Sequence, residues 1–150
     1  MRGETLCAAE SCTAGLVSSF LGKVPGASKV LWGSFVVYTV DAKVKLLDVP
    51  NALIEREGAV SRPVALAMAE GALAKSSASW AFSITGLAGP SDGSTQYPAV
   101  GTVWIAVANR TGSGMPSSSE AKVFQFEGSR IEVQEAAAVA ALQELLKRIG

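Results

Sequence analysis

Short apolar runs alternate along this chain with stretches of helical periodicity, and that alternation limits the available folds more than any other feature. Residues 6–9 form the first run, followed by Leu16, Val17, Phe20 and Leu21 at helical spacing. Residues 30–39, rich in β-branched and aromatic side chains, form the second. Asp41 can cap the short helix that follows it as far as Leu47, and a further helix over 51–57 stops at Gly58. Ser61 and Pro63 then open a longer helix that ends near Lys75 and buries Val64, Leu66, Ala67, Met68 and Leu73. Residues 80–85 are the third run. Two more strands, 100–108 and 121–126, are joined by a segment too short for a helical crossover, so they must be antiparallel. Ser129 and Glu132 have capping-box spacing and open a last helix through Ile149. Helices interleaved with about five strands predict an α/β domain with a mixed sheet, a single domain over 1–150.

Composition removes several classes of function. Apolar residues make up 49% of the chain and charged residues 17%, which suits a well-buried globular protein. The 13 basic and 13 acidic residues balance and nowhere cluster, which argues against a nucleic-acid surface. Glu4 and Glu10 interrupt any leader-peptide core, and the uncharged stretch after Asp92 contains too many Gly, Pro, Gln and Asn residues to span a membrane. Cys7 and Cys12 lie too close together for a disulfide framework, and the expected compartment is the cytoplasm. There is no histidine at all. Ser-His-Asp and Cys-His catalysis and His-rich zinc sites are therefore excluded, leaving acid–base work to Lys, Tyr, Asp, Glu, Cys or the substrate itself.

Within those limits the stretch from Gly26 to Lys43 stands out. It holds Ser28 in a Pro-Gly turn, an apolar strand, Tyr38 at the strand end and Lys43 just beyond. A lysine in the first turn of a helix opposes the helix dipole, a local misfit of the kind functional residues produce. To deprotonate a serine, that lysine must have its pKa lowered from about 10.4 to about 7–8, which burial can achieve. Spacing alone leaves the plain alternative standing, a solvated lysine and a turn serine. Upstream, Glu10-Ser-Cys-Thr-Ala-Gly15 passes from strand to helix, where Ser11 or Thr13 is an N-cap candidate and free amides can receive an anion. Cys12, at that helix start, is either a rival nucleophile or a small buried residue. The aperiodic stretch 86–99 is a long polar loop, of a length usually tied to function.

Taken in order, Ala9-Glu-Ser-Cys-Thr-Ala-Gly15, Pro25-Gly-Ala-Ser28, Tyr38-Thr-Val-Asp-Ala-Lys43, Gly58-Ala-Val-Ser61, Thr85-Gly-Leu-Ala-Gly-Pro90 and Gly101-Thr-Val-Trp104 resemble the CinA C-terminal domain family, which includes nicotinamide-nucleotide amidases of the PncC type. The resemblance covers nearly the whole chain. It implies a three-layer α/β/α sandwich with a mixed, mostly parallel sheet, and hydrolysis of nicotinamide mononucleotide to nicotinate mononucleotide and ammonia. It places a catalytic serine–lysine pair on Ser28 and Lys43, with Tyr38 as relay or orienting group. Glu10, Ser11, Thr13, Thr85, Gly86, Gly89 and Arg130 fall at substrate-binding positions, with no metal or other cofactor, a small-molecule nucleotide as ligand, and a homo-oligomer as the expected assembly. Nucleic acid and membrane are not expected partners. The family's other implied role is a nucleotide-binding or interaction module of the competence-associated type, with weak or no catalysis. The chain departs from the family pattern at Ala14, Val40 and Ser129, at an extra alanine in Pro98-Ala-Val-Gly101, and in the short segment before its first strand.

Overall fold

In a computed structural model of the chain, residues 3–90, 98–110 and 116–150 are described. The elements run β1 (Leu6–Glu10), α1 (Leu16–Gly22), a 3-10 turn (Ala27–Lys29), β2 (Leu31–Val36), α2 (Val40–Leu47), α3 (Asn51–Glu57), α4 (Arg62–Lys75), β3 (Trp80–Gly86), β4 (Thr102–Arg110), β5 (Pro116–Gln125) and α5 (Arg130–Ile149). The expected 86–99 loop falls partly outside the described residues, at 91–97, and so do 111–115 between the last two strands.

The five strands form one sheet in the order β2-β1-β3-β4-β5. β2 and β3 both pair parallel with β1, while β4 pairs antiparallel with β3 and with β5. β4 alone therefore runs against the other four, and the expected mixed, mostly parallel sheet is found. Alternation along β1 and β3 sends side chains to two cores. Leu6, Ala8, Phe82 and Ile84 pack with Val17 of α1 and with Val133, Ala137 and Ala141 of α5. Cys7, Ala9 and Ala81 pack with Val64, Met68 and Ala72 of α4 and with Leu47 of α2. Helices thus cover both faces, which makes three layers.

Small residues let α4 lie close to its neighbours: a Cβ at Gly71 would overlap the Leu47 carbonyl. Arg110, at the end of β4, donates to the carbonyls of Ser76 and Ala78 and closes the end of the same helix. At the start of α5 the expected capping box is present, with Ser129 accepting from the Glu132 amide at 3.2 Å and Glu132 accepting from the Ser129 amide at 2.6 Å.

The capping of three helix starts differs from expectation. The cap of α2 is Thr39, whose hydroxyl accepts from the Ala42 amide at 3.1 Å, and not Asp41, which lies inside the helix. Ser61 is the N-cap residue of α4, as expected, but its hydroxyl makes no capping bond and donates to the Gly58 carbonyl. Neither Ser11 nor Thr13 caps α1, because Glu10 does so from the strand. Its carboxylate, fully buried, accepts from the amides of Gly15, Val17 and Ser18 and from the hydroxyls of Thr13 and Ser18. Ala14 takes a left-handed φ of 48° in this turn.

Candidate active site

Ligands of open α/β sheets settle at the carboxyl ends of the parallel strands, where crossovers leave in opposite directions. Here β1 leads through α1 on one face, and β2 leads through α2, α3 and α4 on the other. At that end lies a cavity of about 600 Å³, an ordinary size for a small-molecule site. Ser11 and Cys12 enter it from the end of β1, Tyr38 from the turn between β2 and α2, Lys43 from the first turn of α2, and Thr85, Gly86 and Gly89 from the end of β3 and the loop after it. Arg130 enters from the first residue of α5.

Lys43 lies at the centre of this arrangement. Only 2% of its surface is exposed, although it lies one turn into an otherwise half-exposed helix. Its ammonium donates to Ser11 Oγ at 2.9 Å, to the Val37 carbonyl at 2.9 Å and to the Tyr38 carbonyl at 3.3 Å. Those three acceptors match its three protons. Burial lowers its pKa to about 8, with the nearby Cys12 sulfur acting weakly the other way. The group is thus a base within hydrogen-bond reach of a serine hydroxyl.

That serine is Ser11, and the expected pairing with Ser28 is corrected. Ser28 lies in the 3-10 turn before β2, exposed, whereas Lys43 follows the other end of that strand. The six residues of β2 hold the two apart by about 20 Å, and no reversal of the chain brings them together within one molecule. Ser11 reaches Lys43 because β1 and β2 are adjacent and parallel, with Glu10 beside Val36.

Glu10 and Thr13 are also corrected as ligand-binding residues. Neither lines the cavity, and their polar atoms bond to each other at 2.7 Å while Glu10 takes up the free amides of α1. The anion expected at this helix start is the protein's own carboxylate. Cys12 does line the cavity, but burial pushes its thiol up to about 11, so it is not the activated thiolate that a helix start suggested.

The remaining expected residues converge. Arg130 donates to the Gly89 carbonyl at 2.6 Å and to the Tyr38 hydroxyl at 2.5 Å, which ties the rim together from three elements. Thr85 is buried and donates to the Ala59 carbonyl at 2.8 Å, joining the end of β3 to the start of α4. Gly86 must be glycine because a Cβ there would stand 2.8 Å from the Thr102 carbonyl. Lys43 and Arg130 are the charged residues on the lining, and no carboxylate accompanies them among the described residues. Sequence reasoning missed Gln134, which donates to the Cys12 carbonyl at 2.9 Å and fixes the turn after Ser11. Its position four residues after Arg130, on the same helix face, was the available signal.

The fold and site together define a three-layer α/β/α domain with a buried serine–lysine contact in a cleft that Lys43 and Arg130 line. The model of the CinA C-terminal domain matches residues 1–149, and the chain belongs to that family. It is 48% identical over 144 residues to a putative competence-damage inducible protein of Symbiobacterium thermophilum, covering 94% of this chain and 34% of that protein. It is 44% identical over 147 residues to a CinA-like protein of Desulfotalea psychrophila, covering 98% of this chain and 34% of that protein. The chain thus spans about a third of the length of these relatives. Among solved structures, the competence/damage inducible protein CihA from Agrobacterium tumefaciens superposes with a TM-score of 0.88 at 38% identity, covering 97% of this chain and 85% of the other. The competence damage-inducible protein A from Klebsiella pneumoniae gives 0.90 at 30% identity, covering 99% and 88%. No helix among the described residues is long and apolar enough to cross a membrane.

Proposed function

We propose that this domain is an amidohydrolase that converts nicotinamide mononucleotide to nicotinate mononucleotide and ammonia, with Ser11 as nucleophile and Lys43 as its base. The observation that carries the reading is the 2.9 Å contact between Lys43 Nζ and Ser11 Oγ, made by a lysine that burial has brought to a pKa of about 8. A primary carboxamide needs a strong nucleophile and a protonated path for its leaving nitrogen. Neutral Lys43 takes the Ser11 proton as Oγ bonds to the carboxamide carbon. The C–N bond then breaks, and the Lys43 ammonium gives that proton to departing ammonia. Water, deprotonated by the same lysine, opens the acyl-enzyme and restores Ser11.

The cationic lining favours an anionic substrate, and the exposed Arg130 guanidinium is positioned at the rim to take a phosphate. Tyr38 is a positioning residue in this scheme: its hydroxyl meets Arg130, and its carbonyl meets Lys43.

The test is product formation by the purified chain given nicotinamide mononucleotide, with Ser11→Ala and Ser28→Ala beside it. Ser11→Ala is expected to lose at least about a thousandfold in kcat while binding the nucleotide. Ser28→Ala is expected to retain turnover within a few-fold. Binding without turnover by the unaltered protein would favour the nucleotide-binding module, and equal activity in Ser11→Ala would remove the dyad.

A further inference from the structure

The charges on the cavity lining do not balance. Lys43 and Arg130 stand there as cations, and no carboxylate lines the cavity with them among the described residues. Among those residues every acceptor they meet is neutral. Lys43 donates to Ser11 Oγ and to the carbonyls of Val37 and Tyr38, while Arg130 donates to the Gly89 carbonyl and the Tyr38 hydroxyl. Two such cations are best satisfied by a ligand with an anion at each end. Nicotinamide mononucleotide has an anion at one end only, its phosphate, and a neutral carboxamide at the other.

The Ser11 hydroxyl adds a second asymmetry. While Lys43 is an ammonium it donates to Ser11 Oγ, so the serine proton must turn elsewhere. The protein acceptor in its reach is the Tyr38 carbonyl at 3.5 Å, which already receives Lys43 at 3.3 Å. Hydroxyl bonds ordinarily span about 2.5–3.0 Å, so this one is weak. The charged dyad therefore turns an under-used O–H, backed by an ammonium, toward the cavity. In the neutral dyad the same proton points at Nζ, and Oγ is free to attack.

We propose that the protonated dyad is a carboxylate receptor, and that the cleft in this state takes a small phosphorylated carboxylic acid, so that the acid product of amide hydrolysis holds the site against its substrate. One carboxylate oxygen accepts from the Ser11 hydroxyl, one hydrogen bond away from the Lys43 ammonium, and Arg130 receives the phosphate. This deepens the reading of the site given above and rests on its placing of the reacting group at Ser11 and the phosphate at Arg130.

The proton that separates the two states belongs to Lys43, whose pKa of about 8 puts the change between pH 7 and 9. The Cys12 thiol, which titrates near 11, the Tyr38 phenol and the Arg130 guanidinium share the cavity with it. On its own helix Asp41 and Lys45 pair with each other at 3.0 Å on the exposed side. Behind it α3 and α4 bring the apolar Ile54, Val64 and Met68, and the Glu10 carboxylate is turned to the amides of α1.

Titration calorimetry of the purified chain with nicotinate mononucleotide, which has no amide left to hydrolyse, tests the proposal. Its Kd is expected to weaken about tenfold from pH 7 to pH 9, as the charged fraction of Lys43 falls from about nine-tenths to about one-tenth. Ribose 5-phosphate lacks the carboxylate, and its phosphate ionises fully near pH 6, so its Kd is expected to change by less than about twofold. Binding of the acid at pH 9 is expected to take up most of one proton, read from the heats in two buffers of different ionisation enthalpy. Lys43→Met is expected to lose both the pH dependence and the proton uptake while still binding ribose 5-phosphate. No binding of the acid at pH 7, a Kd flat from pH 7 to 9, or binding at pH 9 without proton uptake overturns the receptor state, even in a chain that hydrolyses the amide. The expected pH dependence and proton uptake in a chain that does not hydrolyse the amide uphold the receptor and remove the amidase reading alone.

Discussion

The proton balance of Lys43 gives the sharpest test of the site. Its pKa of about 8 means that about one-tenth of the lysine is neutral at pH 7 and about nine-tenths at pH 9. If neutral Lys43 is the base, kcat/KM for nicotinamide mononucleotide should rise about tenfold over that interval and level off above it. Cys12 does not disturb this range, because its thiol titrates near 11. The profile is measured by quenching timed reactions from pH 6 to 9.5 and quantifying nicotinate mononucleotide. The same shift has a consequence for stability. The folded value lies below the value of about 10.4 in the unfolded chain, so between about pH 8 and 10.4 the unfolded state holds more protons and stability rises with pH. A shift of about 2.5 units corresponds to about 3 kcal/mol, absent at neutral pH and fully gained above pH 10.4. Cys7 and Cys12, both raised to about 11, act in the opposite direction above pH 9. The quantity to read is therefore the denaturation free energy of the wild type minus that of Lys43→Met, in which the thiol contributions cancel. That difference should become more positive by about 3 kcal/mol between pH 7 and 10.5. A rate profile flat from pH 6 to 9, or a difference that does not move with pH, would refute the claim that burial has made Lys43 a base.

Other consequences can be checked separately. Arg130→Ala should raise KM for the mononucleotide at least about tenfold and leave KM for the phosphate-free analogue, nicotinamide riboside, nearly unchanged; equal losses for both would mean that Arg130 does not meet the phosphate. Glu10→Ala strands the three amides at the start of α1 and should cost about 3 kcal/mol or more, read as a fall in urea midpoint, while Glu10→Gln should recover part of it. A ligand-binding Glu10 would instead show normal stability and altered KM.

Much of the architecture could be read from the sequence because it depends on local signals. A continuous apolar run located β1, and period-two and period-3.6 patterns located β3, α4 and α5, while the Ser129–Glu132 spacing marked the start of α5 to the residue. The missing histidine, and the placement of Lys43 against its helix dipole, made that lysine a candidate without any structure. Tyr38, Thr85, Gly86, Gly89 and Arg130 were likewise located by motif, and the fold gathers them at one cavity. The sequence could not say which serine Lys43 meets. Ser28 is the nearer in sequence, but a strand is a rigid spacer that separates its ends by its full length. Ser11, 32 positions away, arrives because two parallel neighbours end at the same edge of the sheet. Parallel pairing also carried Glu10 to the helix start, where it became a cap and not a ligand. Residue types and periods are local and belong to the sequence; which side chains share the carboxyl end of a sheet is decided by strand order and register, and only the tertiary structure sets those.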